Sequence, residues 1–235
     1  MGTKRLIILA TVLAAALILP VGANGGMVAV TVKVTAGTQS FDHTFTGNTV
    51  ATADGFECVL VGQQEVATFD DGAITGLTLR MNADPEVGIE FGVRAGSLAT
   101  TYSILSDIAV FGELVNPTAY ASAAITLTDR SPAGATITGL YSGGKTYQAR
   151  YNGSSVFANL VNGFAIPSES QTNSEAMPPS GSQIITGALT SIESEFNFTL
   201  SARDSASGTS TFEVVPEPVT FVLLGLSALA LRRRK

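Results

Sequence analysis

An all-β chain, folded as an antiparallel β-sandwich of jelly-roll type, is what this sequence predicts. Three observations carry the prediction. Apolar and polar residues alternate at period two through most of the chain, the pattern of strands with one buried and one wet face. Turn-forming pairs such as Asp54-Gly55, Asp71-Gly72, Gly143-Gly144 and Asn152-Gly153 interrupt that alternation at short intervals. Helix-length apolar runs occur only near the two ends, so a signal-peptide helix and a short C-terminal hydrophobic helix are expected to flank the sandwich.

The front end is a targeting segment. Lys4 and Arg5 precede an uncharged run from Leu6 to Leu19, which Pro20 ends. Val21-Gly22-Ala23 then offers the small residues that a signal peptidase reads, predicting a signal peptide over 1–23 with cleavage after Ala23. No cysteine follows the apolar run, which argues against a lipoprotein signal.

The body, 24–214, is long enough for one well-buried domain. Val28, Val30, Val32 and Val34 alternate with Ala29, Thr31, Lys33 and Thr35. Leu77, Leu79 and Met81 repeat the pattern, as do Val87, Ile89, Phe91 and Val93. Ile125 and Leu127 lie between threonines, and so does Ile137. Asn152-Gly153, between Lys145–Tyr151 and Ser155–Leu160, predicts a type I′ hairpin. The strongest strand comes last: Ile192, Phe196, Phe198, Leu200 and Ala202 face one way, and Glu193, Glu195, Asn197, Thr199, Ser201 and Arg203 the other. Pro167 to Gln183, rich in Ser and Pro, reads as a long loop. Ser205 to Ser210 reads as a small-residue stretch before a final strand at Thr211–Val214. No internal repeat supports a propeller or solenoid.

The tail, 215–235, combines Val215-Pro216-Glu217-Pro218, an uncharged stretch from Val219 to Leu231, and Arg232-Arg233-Arg234-Lys235. Thirteen helical residues rise about 20 Å, short of a hydrocarbon core of about 30 Å. Such a segment anchors weakly, with snorkelling arginines and local thinning making up part of the deficit. The basic end favours the cytoplasmic side, as do Lys4 and Arg5, which places the body outside. These residues resemble the PEP-CTERM sorting signal of bacterial exported proteins, whose three parts appear here in order. The resemblance covers 215–235 only. It implies processing near the motif by exosortase, an integral-membrane protease and transpeptidase, in a bacterium that makes extracellular polymer. An ordinary C-terminal anchor is the alternative, while a GPI signal is disfavoured because those tails end hydrophobic.

The whole chain carries 13 Lys+Arg against 19 Asp+Glu. Setting aside the two terminal segments, with six cations and one acid, leaves seven against eighteen, a body near −11. So acidic a body repels phosphate backbones, which excludes nucleic acid as a partner. Cys58 is the only cysteine, so no intrachain disulfide forms and the domain relies on its core.

Candidate chemistry is sparse. His43, the sole histidine, is in phase with Phe41 and Phe45 and reads as a residue of a half-buried strand face. Cys58 is in phase with Phe56 and Leu60, as a buried inert thiol would be, so a His43–Cys58 dyad is rejected. Glu193 and Glu195 could form a glycosidase pair, but their place on an amphipathic strand reads as a solvated face. Asp70-Asp71-Gly72 and Asn82-Ala83-Asp84-Pro85-Glu86 match no calcium loop and read as turns. Tyr141, Tyr147 and Tyr151, around one predicted hairpin, are the candidates for a sugar-stacking platform. No catalytic, metal-binding or cofactor-binding residue is assigned, and no cofactor is expected.

The sequence thus predicts a protein exported across the inner membrane of a bacterium. It is held transiently in the membrane by its tail, then located at the cell surface or outside. Signal peptidase and exosortase are its expected partners, and its role is structural or interactive rather than enzymatic. A carbohydrate-binding module of the exopolysaccharide matrix is the second reading, and a hydrolase the third.

Overall fold

The alternating segments assemble into two antiparallel sheets in a computed structural model that describes residues 27–48, 50–52, 55–58, 72–82 and 85–215. The described residues form seventeen strands. Sheet 1 runs in the order β12 (Ser155–Asn162), β11 (Lys145–Tyr151), β16 (Ala188–Leu200), β7 (Thr100–Ser106), β1 (Met27–Ala36), β2 (Gln39–Asn48). Three short strands complete it: β8 (Ala109–Val115) and β10 (Ala135–Gly139) pair with β16, and β13 (Phe164–Ile166) with β10. Sheet 2 runs β14 (Ser170–Met177), β9 (Thr118–Thr128), β17 (Ser205–Val215), β6 (Glu86–Arg94), β5 (Ala73–Asn82), β4 (Gly55–Cys58), β3 (Val50–Thr52). The two-residue β15 (Gln183–Ile184) pairs with the start of β9.

Strand β16 is the spine of sheet 1. One of its edges carries β7 and then β8, which break at Asp107–Ile108; the other carries β11 and then β10. Its inward residues Ile192, Phe196, Phe198 and Leu200 are fully buried, as their alternation predicts. Facing them from sheet 2, Phe91 meets Phe196 edge-on at 4.8 Å and stacks beside Phe198 at 5.6 Å. Each such fully buried aromatic contributes roughly 1.5–3 kcal/mol through lost apolar surface. Tyr147 joins the same cluster, 4.9 Å from Phe196, and its hydroxyl lies 2.8 Å from Ser194 Oγ. A second stack, Phe157 on Phe212 at 5.2 Å, packs β12 against β17.

The hairpin expected at Asn152-Gly153 forms between β11 and β12, with φ of 47° and 81° at those two residues. Its loop has three residues, 152–154, rather than two, because Tyr151 pairs with Ser155. Gly143 and Gly144, at φ 76° and 72°, make the turn that leads into β11.

Three expectations are corrected. The segment read as a loop over Pro167–Gln183 contains β14, whose eight residues pair with β9. Its polar composition suits an edge strand, and its hydroxyls pair across to β9, Thr172 with Thr126 and Ser170 with Thr128. The final strand begins at Ser205, not Thr211, so Ser205–Ser210 belongs to it. Gly208 within it is explained by packing: a Cβ there would collide with the ring of Phe91. Strand β16, in turn, stops at Leu200, and Ala202 lies in the turn beyond it. The expected flanking helices fall on 1–26 and 216–235, outside the described residues. Among the described residues no helix is long and apolar enough to cross a membrane.

Candidate functional site

The three tyrosines proposed as a platform do not share a face. On β11, Tyr147 and Tyr151 point inward opposite Phe196 and Ile192, and Tyr147 is fully buried. Tyr151 is partly buried against the core. Tyr141 lies before β11, bridged to Lys145, with its hydroxyl buried on the outer side of sheet 1 beside Glu195. Period two on β11 decides this split, since Tyr147 and Tyr151 must follow the face that Ala149 also buries. Tyr147 is therefore unavailable to a sugar ring.

Glu193 and Glu195 are outward-facing but not solvated: they are only 7% and 9% exposed. Arg150, opposite Glu193 on β11, covers both. Its Nε is 3.0 Å from Glu193 Oε1 and its Nη2 is 3.1 Å from Glu195 Oε2. Ser103 Oγ donates to Glu195 Oε1 at 2.7 Å from the other neighbouring strand. Tyr141 closes the cluster. Burial, and after it the Glu195 charge, push its hydroxyl far above the ordinary tyrosine pKa. A glycosidase needs one carboxyl to protonate a leaving oxygen and another to attack or activate water, both reachable by substrate. This pair is covered and shared by one guanidinium, so the geometry is that of a clamp between β11 and β16.

His43 is exposed on β2, its ring 5.6 Å from Phe41 and 4.5 Å from Phe45. It belongs to sheet 1, whereas Cys58 lies opposite Leu79 in sheet 2. Asp70, Asp71, Ala83 and Asp84 lie outside the described residues. Among the described residues no group of three or more His, Cys, Asp or Glu could hold a metal ion.

A second clamp, which the sequence did not reveal, joins the two sheets at one edge. Glu175 on β14 accepts from Lys145 Nζ at 2.9 and 2.6 Å and from the backbone N–H of Val161 at 2.8 Å. Thr146 Oγ1 donates to the carbonyl of Val161 at 3.0 Å. Lys145 and Val161 belong to sheet 1 and Glu175 to sheet 2.

The end of the sandwich from which the tail departs is defined by two crossings and the end of the last strand. β8 passes to β9 through Asn116–Pro117, β15 passes to β16 through 185–187, and β17 ends at Val215. Asn116 locks the first two together: its N–H donates to Gly187 O at 2.9 Å, and Gly187 N–H donates to its side-chain Oδ1 at 2.7 Å. Ile185 N–H donates to Pro117 O at 2.8 Å. Thr118 is the shared neighbour, with Ile184 of β15 on one side and Val215 of β17 on the other. Val115, Ile184 and Val215 are exposed by 64%, 55% and 41%. Of the sorting motif, only Val215 is described; Pro216, Glu217, Pro218, the basic stop Arg232–Lys235 and the cleavage residue Ala23 lie outside the described residues.

No family model matches the chain, and no curated protein does. Among solved structures it is similar to a structure of the infectious bursal disease virus Gt strain, with 12% identity over 82% of this chain, at a TM-score of 0.21. It is also similar to the infectious bursal disease virus VP2 subviral particle, with 10% identity over 84% of this chain, at a TM-score of 0.16. The chain spans 63% of each of those proteins, and likenesses this distant carry no functional argument.

Proposed function

We propose that this chain is an exported surface or matrix protein of a bacterium: a β-sandwich cargo delivered by its signal peptide and sorted through its tail by exosortase, with a structural or interaction role. The observation that carries the reading is the tail itself, where a Pro-Glu-Pro motif, thirteen uncharged residues and four cations follow one another at 215–235. The position of the exit is consistent with it. Val215 is the last residue of a strand paired to its end with β9, and Pro216 follows it directly in the chain. β1 also starts in the half of sheet 1 that holds Val115, since Val30 pairs with Ser106 just before β8. A body entered and left from the same half suits a chain threaded outward from one membrane.

The jelly-roll connectivity and the two flanking helices belong to this proposal. The passages from β8 to β9 and from β16 to β17, each from one sheet to the other, favour the former. The Arg150–Glu193–Glu195 clamp presents no open carboxylate, which favours a role without chemistry there.

The test is the mature C-terminus, read by mass spectrometry on protein recovered from its host. Loss of the tail near Pro216–Pro218 is expected, with retention of the full tail when exosortase is deleted or when Pro216 and Pro218 are changed to Ala. An intact tail in the untreated host would overturn the reading.

A further inference from the structure

We infer that the tail-bearing end of the sandwich is a lipid-contacting face, on which Val115, Ile184 and Val215 rest in the interfacial layer of the bilayer. The inference builds on the anchoring role proposed for 219–231 and adds a surface of the folded domain to it.

Three aliphatic side chains are exposed at this one end, on three separate segments. Ile184 and Val215 flank Thr118 in adjacent register positions, so their backbones stand about two strand spacings, roughly 10 Å, apart. Val115 precedes Thr118 by two intervening residues, Asn116 and Pro117, whose hydrogen bonds to 185–187 fix all three segments together. Register sets Val115 on the outer side of sheet 1 and Ile184 and Val215 on the outer side of sheet 2. The three thus surround this end of the sandwich and are held in place before any contact is made.

Chain length decides what the patch meets. Only Pro216, Glu217 and Pro218 separate Val215 from the uncharged stretch beginning at Val219. Four residue steps, even fully extended, reach at most ~14 Å. The polar layer on each side of the hydrocarbon core takes up roughly 5–7 Å of that span. A tail seated in the hydrocarbon thus holds Val215 within several ångströms of the headgroups, and its exposed neighbours are carried there with it. Electrostatics does not draw them in: the body is strongly acidic, and Glu213 and Glu86 pair across β17 and β6 one pleat behind Val215. The contact is apolar, and zwitterionic lipid suits it better than anionic lipid.

The chain has no tryptophan, so a single introduced one reports without background. The full chain, reconstituted into phosphatidylcholine vesicles, would be compared as Val115→Trp, Ile184→Trp and Leu98→Trp. All three positions are exposed, and Leu98 lies in the β6–β7 connection at the opposite end. Emission from positions 115 and 184 is expected to shift to the blue and to be quenched by brominated lipid, with position 98 unaffected. If all three behave alike while the chain floats with the vesicles, the inference fails and anchoring stands. If the chain does not float with the vesicles, the anchoring reading fails and this one with it.

Discussion

The backbone N–H of Val161 donates to the carboxylate of Glu175 at 2.8 Å, across the gap between the two sheets. Val161 adopts φ 59°, the left-handed region that a β-branched residue seldom enters, at a cost of roughly 1–3 kcal/mol. The flip turns its N–H toward β14 and its carbonyl toward Thr146. Glu175→Ala removes the acceptor for both Val161 and Lys145 and should destabilise the domain by ~2 kcal/mol, allowing for the partial exposure of the ion pair. Glu175→Gln, which keeps one acceptor, should fall between. Urea denaturation measures both, and no loss in the alanine variant would show that Val161 holds its conformation unaided.

Arg150 neutralises two carboxylates that are nearly out of water. Arg150→Met should therefore cost about 3–5 kcal/mol, because Glu193 and Glu195 are left buried with their charges side by side. Adding Glu193→Gln and Glu195→Gln to that variant should recover most of the loss. A triple variant no more stable than the single one would mean that Arg150 acts through packing rather than charge.

Gly208 gives the Phe91 ring its space. Gly208→Ala should destabilise by roughly 1–3 kcal/mol, since Phe91 is boxed in by Phe196 and Phe198 and cannot swing away freely. Thermal unfolding checks this. Pairing the variant with Phe91→Leu should cost less than the sum of the two single changes.

Alkali should unfold the protein through its buried tyrosines. Burial pushes the Tyr147 hydroxyl up to about 12, against an ordinary value of about 10 in the unfolded chain. The folded state thus holds its proton more tightly. The associated stability is fully present below about pH 10 and is lost as pH rises through about 12, ~3 kcal/mol in all. Burial shifts Tyr102 and Tyr141 in the same direction. Tyr147→Phe should be slightly less stable near neutrality, where Ser194 loses a partner, yet should lose less stability in alkali. Tyrosinate absorbance followed alongside denaturation midpoints distinguishes the two effects.

Strand-by-strand legibility varied with how local the deciding contact is. Val87, Ile89, Phe91 and Val93 announce their buried face because alternation is a property of neighbours in sequence, and all four are buried. Ser205–Ser210 hid its strand in part because Gly208 answers a ring on β6, far away in the chain. Glu193 and Glu195 read as solvated for the same reason: nothing nearby in sequence reveals that Arg150 will lie over them. Glu175 gave no signal at all, since its two partners become neighbours only when the sheets stack. Tyr147 could have been placed inward from its phase with Ala149 and Tyr151, had the hairpin residues been sorted by face rather than by proximity.

The position of Val215 at the end of β17 also sets how the domain bears force. A load applied through the chain beyond Val215 would pull along the axis of β17, whose ladders run to β9 along its whole length and to β6 through Glu213. Antiparallel bonds lie perpendicular to that axis, so the load is shared as shear across two ladders at once instead of peeling one rung after another. A tether attached to an edge strand such as β2 or β14 would engage one ladder only. Because β17 lies between β9 and β6, any load applied through the chain beyond Val215 would be carried by two ladders rather than one.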